Sequence, residues 1–340
     1  MSISIALATF NGGRFIRRQL VTLAAQTVAP SELVVTDDGS RDETLAIVEK
    51  FSKTAPFPIR IVRNEGRLGY RANFMKAAEL CTSDLVAFCD QDDVWESNKL
   101  ELMTEPFIDP NVLLAFHGAT LINTSENIIG QLFSSKNIIR YPRLSIRPKM
   151  IVPGFAQVFR RSLIRFTPLH AQSIDPYNNR QRMSHDLWFL FWASVLGEIV
   201  HVPQTLAHYR QHDANASGWI QDWSVAFILD NIRNAEFYAR SNVVNMTNRL
   251  QLLHRARRLL ANYETGRLNT AIAFYEMLAS RTDQRWSVYT GRTFLERVRK
   301  LALLVRQGGY TGNRAESLGL DTLLLDTFVG VPFAGMYAAD

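Results

Sequence analysis

The segment Leu85-Val86-Ala87-Phe88-Cys89-Asp90-Gln91-Asp92-Asp93-Val94-Trp95 constrains this chain more than any other. Its apolar run ends abruptly in carboxylates at positions 90, 92 and 93. A short apolar run bounded by polar residues reads as a buried strand of an α/β sheet. In open α/β sheets the ligand crevice lies at the carboxyl ends of the strands. Acids crowded there repel one another unless a cation sits between them. Hard oxygen ligands suit Mg²⁺ or Mn²⁺, which bridge a nucleotide's phosphates to protein carboxylates. The competing reading makes Asp92 or Asp93 the N-cap of a helix from Trp95 to Leu102. Spacing alone leaves both open.

The residues before this segment repeat one theme. Ile3, Ile5 and Leu7 alternate with small residues and lead into Thr9-Phe10-Asn11-Gly12-Gly13. Ile16, Leu20 and Leu23 follow at helical spacing, Pro30 breaks the chain, and Leu33-Val34-Val35-Thr36 forms the next strand. That strand runs into Asp37-Asp38-Gly39-Ser40, with Ser40 and Glu43 spaced as a capping box for a helix through Leu45, Val48 and Phe51. A third strand at Ile59–Val62 and a helix from Tyr70 to Leu80 precede the acid-tipped strand. Strand–helix–strand repetition is the signature of parallel pairing.

Beyond Pro106 the pattern changes. Val112 to Leu121 reads as a strand, Asn123 to Gly130 as a hairpin-like turn and Ser134 to Pro148 as a basic loop. Ile151 to Phe159 contains Pro153-Gly154 and reads as strand or loop. A helix over Asp186 to Leu196 and a strand at Glu198 to Val202 come before Tyr209-Arg210-Gln211-His212. From Trp219 onward the chain reads as mostly helical. The expected organisation is a domain over residues 1–218, with a nucleotide-binding half at 1–105 and an acceptor half at 106–218, followed by a helical region at 219–340.

Composition narrows the setting. Cys81 and Cys89 make no disulfide or metal pattern, in keeping with a reducing cytoplasm. The N-terminus lacks the basic region of a signal peptide, and the longest apolar stretch, Leu187 to Gly197, falls short of a spanning helix. A soluble or peripheral protein is expected. The net charge of +6 is unevenly placed: from Arg249 to Lys300 there are eleven Lys/Arg and four Asp/Glu. Phe294, Val298, Leu301 and Val305 share one helical stripe with Arg297, Arg299, Lys300 and Arg306 off it. Such a helix either contacts an anionic membrane or packs its stripe onto the protein. No nucleic-acid-binding signature accompanies it.

Ala8-Thr9-Phe10-Asn11, Gln26-Thr27, Val34 to Ser40 and Phe88 to Asp93 together resemble family 2 glycosyltransferases, in order and spacing, over roughly the first two-thirds of the chain. The resemblance implies a GT-A fold, an α/β mixed central sheet flanked by helices. It implies inverting transfer of a sugar from a nucleotide-sugar donor, assisted by Mn²⁺ or Mg²⁺. Carried onto this chain, Asp38 resembles the acid that binds the nucleotide base, with Asp37 beside it, and Ala8 and Asn11 match positions lining the nucleotide pocket. A tight turn needing Asn and Gly explains Ala8 and Asn11 equally simply, and a turn before a capped helix is the competing reading of Asp37 to Ser40. Asp90 would lie at the ribose and Asp92 on the metal, with Asp93 a helix cap or supporting group.

Asp186 falls at the family's catalytic acid, where a general base takes the acceptor hydroxyl's proton. The family's usual Glu-Asp pair is His185-Asp186 here, leaving the role of position 185 open beyond acceptor contact. Gly154 sits where the acceptor approaches. Tyr209-Arg210-Gln211-His212, with Asn215-Ala216-Ser217, resembles a stretch of bacterial members in which Arg210 pairs with diphosphate and His212 completes the metal site. Cys-Asp-Gln-Asp-Asp-Val-Trp together with Tyr-Arg-Gln-His resembles rhamnosyltransferase-type members, a hint of dTDP-rhamnose among UDP- and dTDP-sugars. The implied acceptor is a bacterial surface glycan, lipid-linked, such as O-antigen. Two alternatives are a sugar-nucleotide nucleotidyltransferase, for which Asn11-Gly12-Gly13-Arg14 is too short a phosphate loop, and an inactive transferase-like binding module.

Overall fold

The computed structural model describes residues 1–213, 232–260, 265–312 and 315–334. The chain divides into two units: residues 1–143, 151–168 and 184–219, and residues 144–150, 169–183 and 220–340. The expectations for Asn215, Ala216, Ser217 and Trp219 lie outside the described residues.

The first unit is built on a mixed sheet. β1 (Ile3–Thr9), β2 (Glu32–Asp37), β3 (Ile59–Arg63) and β4 (Leu85–Cys89) are parallel, joined by α1 (Ile16–Ala24), α2 (Thr44–Ser52) and α3 (Tyr70–Leu80). β1 and β4 are buried along their whole length, as strands covered on both faces must be. β9 (Gln157–Arg160) then inserts antiparallel between β4 and β6 (Val112–Ile122), and β6 pairs parallel with β10 (Glu198–Arg210). The path across the sheet is β3-β2-β1-β4-β9-β6-β10-β5, with β5 spanning Val94–Trp95. β7 (Ile128–Leu132) pairs with β6, and β8 (Ile139–Tyr141) with β10. The expected basic loop at 134–148 therefore contains a short strand.

Two expectations near the acids are corrected. The helix after them, α4, spans Lys99–Thr104 rather than starting at Trp95. The backbone of Val94 and Trp95 instead pairs antiparallel with His208 and Ala207 of β10, so Asp93 caps no helix. The capping box at Ser40 and Glu43 does not form either. The Ser40 hydroxyl donates to Asp37, and Asp42 Oδ1 accepts the Thr44 N–H that opens α2.

α5 (His185–Leu196) is buried almost throughout. Every residue in it except Asp186 is buried, including Trp188 and Trp192, as expected of a helix apolar all round. Its polar start therefore stands out as the one place where α5 meets open space.

The second unit is helical: α6 (Ala235–Leu259), α7 (Thr265–Tyr289), α8 (Phe294–Arg306), α9 (Leu320–Leu325), a π turn at Asp326–Gly330 and α10 (Val331–Phe333). Ala235, Ala239, Val288, Leu301, Leu304, Val329 and their neighbours form its core. Inside it, Arg285 Nε lies 2.8 Å from Asp326 Oδ2, and the hydroxyls of Tyr289 and Tyr310 donate to the same carboxylate at 2.7 and 2.6 Å. A fully buried ion pair is tolerated only when its remaining hydrogen-bonding capacity is filled in this way.

Candidate active site

All the acids singled out in the sequence except Asp186 stand at the carboxyl ends of β2 and β4. Parallel pairing dictates this, because each strand reaches the same sheet edge before its chain turns into a helix. Asp37 is 1% exposed and fully engaged: Oδ1 accepts from the backbone N–H of Gly39 (3.1 Å) and Ser40 (2.9 Å), and Oδ2 from the Thr9 hydroxyl (2.8 Å). It shapes the turn. Asp38 accepts the N–H of Leu68 (2.6 Å) and of Gly69 (2.8 Å), and the Asn64 amide (3.1 Å). The loop from Asn64 to Gly69 is thus strapped to the strand end, and Arg67 from that loop lies 4.1 Å above the Phe10 ring.

Ala8 lies buried in β1, opposite Thr36 of β2. Asn11 adopts a left-handed conformation (φ 48°), a region Asn tolerates better than most residues, and its Oδ1 accepts the Arg41 N–H at 2.9 Å. Asn73, which the sequence reading passed over, donates to Thr36 O (3.0 Å) and Thr9 O (3.3 Å) and so clamps the ends of β1 and β2 together. Gln91, between the two acids, makes a two-point amide contact with Phe10: Oε1 accepts its N–H and Nε2 donates to its carbonyl, both at 3.0 Å.

The acid cluster is electrostatically tense. Asp90 is pushed up to about 8, first by loss of hydration and then by the like charges of Asp92 and Asp186. Asp93 is fully buried and held well above the usual carboxylate range by burial, Asp90 and Asp92. Its Oδ1 accepts the Arg210 N–H at 3.1 Å, while its buried Oδ2 has no hydrogen-bond partner among the described residues. One cation is enclosed nearby. Lys99 Nζ donates to Phe155 O at 2.7 Å and lies 3.5 Å from the Trp95 ring centroid, and burial pushes it down to about 7 against the pull of Cys89, Asp93 and Asp90. Motif matching had no reason to select it, although a lysine just beyond an acid cluster is the signal that finds it.

β10 delivers the last group. His212 Nε2 lies 2.7 Å from Asp92 Oδ2, and its ring stacks on Phe15 at 5.0 Å. The two groups contact each other directly, and both a carboxylate oxygen and an imidazole nitrogen are of a kind that can ligate a divalent cation. No set of three His, Cys, Asp or Glu side chains suited to a metal occurs among the described residues. Arg210 has a structural engagement instead of an open fork: Nε donates to Asp92 O (2.8 Å), Nη2 to Glu126 Oε1 (2.9 Å) and Nη1 to Asn123 O (3.3 Å). It is 2% exposed and ties the β6–β7 turn to the acid motif.

At the start of α5, Asp186 Oδ1 accepts the Leu187 N–H at 2.8 Å and the Ser184 hydroxyl. Its charge contributes to the rise at Asp90, which places the two carboxylates in one field. The His185 ring stacks on Phe74 at 4.0 Å and lies edge-on to Phe88 at 4.6 Å. A Cβ on Gly154 would overlap His185 Nε2, so the glycine permits the close approach of that turn to α5.

Residues 4–166 match the profile of "Glycosyl transferase family 2". An uncharacterized glycosyltransferase of Nostoc sp. is 28% identical over 63% of this chain and 66% of its own length. The dTDP-rhamnosyl transferase RfbG of Shigella flexneri is 25% identical over 82% of this chain and 96% of its own. The Escherichia coli protein WfgD, named a UDP-Glc:alpha-D-GlcNAc-diphosphoundecaprenol beta-1,3-glucosyltransferase, is 29% identical over 40% of this chain and 52% of its own. The chain thus spans just under two thirds of the first curated relative and less of several others. The crystal structure of S. aureus TarS 1-349 in complex with UDP has the same fold, with a TM-score of 0.51 at 17% identity over 91% of this chain and 93% of that one. The match to glycosyl transferase family 2 thus covers just under half of the chain, and the fold is the GT-A-like one of the TarS structure.

Proposed function

We propose that this chain transfers a sugar, with inversion, from a nucleoside-diphosphate donor to a hydroxyl of a bacterial surface glycan. The observation that carries the reading is the convergence of Asp90, Asp92 and His212 at the strand ends, with Asp186 in the same field. Asp92 and His212 would hold a divalent cation, with diphosphate oxygens completing its shell. When bound, that ion supplies charge stabilisation to the departing diphosphate. Asp90 takes the ribose side, and Asp38 orders the loop that closes the nucleotide pocket, with its base contact made through a remaining lone pair.

Asp186 is the general base. Its carboxylate takes the acceptor hydroxyl's proton as that oxygen bonds the anomeric carbon, and the bond from that carbon to the diphosphate breaks with its electron pair on the leaving oxygen. Attack opposite the leaving group gives inversion. Because Ser184 and the Leu187 N–H occupy Oδ1, the proton goes to Oδ2.

The Shigella relative's name supports dTDP-rhamnose as the first donor to test, and the UDP-bound TarS supports UDP-sugars as the second. The name of WfgD supports a lipid-linked acceptor, and free, buried Cys81 and Cys89 agree with a cytoplasmic site of action on the inner membrane face. A thermal-shift panel of UDP, dTDP and their sugars with and without Mn²⁺ tests the reading. Metal-dependent stabilisation by one nucleotide class is the expected result. No stabilisation by any of them refutes it.

A further inference from the structure

The apolar residues of α8 do not form one stripe. Leu301 and Leu304 turn into the core of the second unit, 9% and 1% exposed. Phe294, Leu295, Val298 and Val305 stay outside, at 59%, 56%, 37% and 43% exposure, with exposed Ala302 between them. At helical periodicity these outer residues share an arc of about 100° next to the buried one. Exposed Arg306 and Arg299 border that arc on the edge away from the core, and Leu303, 54% exposed, lies beyond them. The other basic groups of α8 face inward: Arg297 Nε donates to Val331 O at 2.7 Å, and Lys300 lies 2.7 Å from Glu296, the helix's one acid. In the same unit Leu320, Leu324 and Phe328, 63%, 58% and 66% exposed, recur every four residues.

We propose that this outer arc of α8 is a membrane-docking surface whose occupant is an anionic lipid bilayer. The charge pattern selects that occupant. An apolar arc without acids, edged by arginines whose stems can lie along it while their heads reach lipid phosphates, matches an interfacial helix. A protein groove would bury the stripe without needing a phosphate-rich rim. At 13 residues α8 is too short to span a bilayer, and no described helix is long and apolar enough to do so. The proposal rests on the reading of a lipid-linked acceptor for its purpose, and on the helix alone for its physics.

The test is co-flotation of the full chain with phosphatidylcholine vesicles and with vesicles also containing phosphatidylglycerol. Binding is expected only with the anionic lipid, falling roughly tenfold or more in Leu295→Glu and in Arg299→Glu and weakening with salt. Circular dichroism and melting temperature should not move, because both side chains are exposed. Failure to bind anionic vesicles overturns the proposal, as does unchanged binding by both variants. So does a dimer, seen by sedimentation, that Leu295→Glu dissolves. Nucleotide-linked thermal stabilisation in the same samples reads the catalytic assignment separately, so either idea can fall alone.

Discussion

His212 Nε2 sits 2.7 Å from Asp92 Oδ2 across 120 residues of sequence. The contact joins the end of the last strand to the acid motif at the sheet's centre. Asp92→Ala is expected to lower metal-stimulated sugar transfer on the order of a hundredfold or more, and His212→Ala to raise the Mn²⁺ concentration needed by roughly tenfold. Nucleotide release measured against Mn²⁺ concentration separates the two. Full activity of Asp92→Ala in chelator would exclude the metal role.

Asp186 is the unburied residue of α5, and one of its oxygens is already held by Ser184 and Leu187. Asp186→Asn keeps the shape and removes the base. Turnover should fall about 10²- to 10⁴-fold while donor affinity by calorimetry stays the same. A parallel loss of donor binding would mean that the residue serves the nucleotide instead.

Asp38 accepts two backbone N–H groups and the Asn64 amide. Alanine there strands these donors. Stability should fall by about 1–3 kcal/mol in denaturant titrations. Protease cleavage within residues 64–69 should accelerate at the same time. Cleavage elsewhere first would argue against the strap.

Lys99 gives a pH signature. Its folded-state value, about 7, lies below its ordinary 10.5. Below about 7 the ammonium is charged in both states and burial penalises the folded one. Between there and 10.5 the unfolded chain binds more protons, so stability rises with pH, by at most about 1.4 kcal/mol per unit. The melting temperature of the native chain should therefore climb relative to Lys99→Met from pH 7 to pH 10. Parallel pH curves for the two proteins would refute it.

The β-α-β order through Cys89 was legible because apolar runs, helical spacing and polar strand ends agree with one another. β9 was not, since Gln157–Arg160 is short and follows Pro153-Gly154, and only its neighbours β4 and β6 make it a strand. Trp95 looked helical because local spacing carries no trace of β10, which claims it from 112 positions away. The engagement of Arg210 was illegible for the same reason, since Glu126 and the carbonyl of Asp92 are remote in sequence. The stripe on α8 had the right period, but period alone does not tell which side of an arc the core takes.

Gln91 occupies the position that the acid–any–acid pattern leaves unspecified. Its amide grips Phe10 at both backbone groups, and its side chain fills the space a Cβ on Gly12 would need. A side chain at position 12 would therefore have to displace Gln91 and break its grip on Phe10. Grafting another motif's middle residue at position 91 gives up that amide grip, and the mouth of the first strand comes unbuckled from the acids.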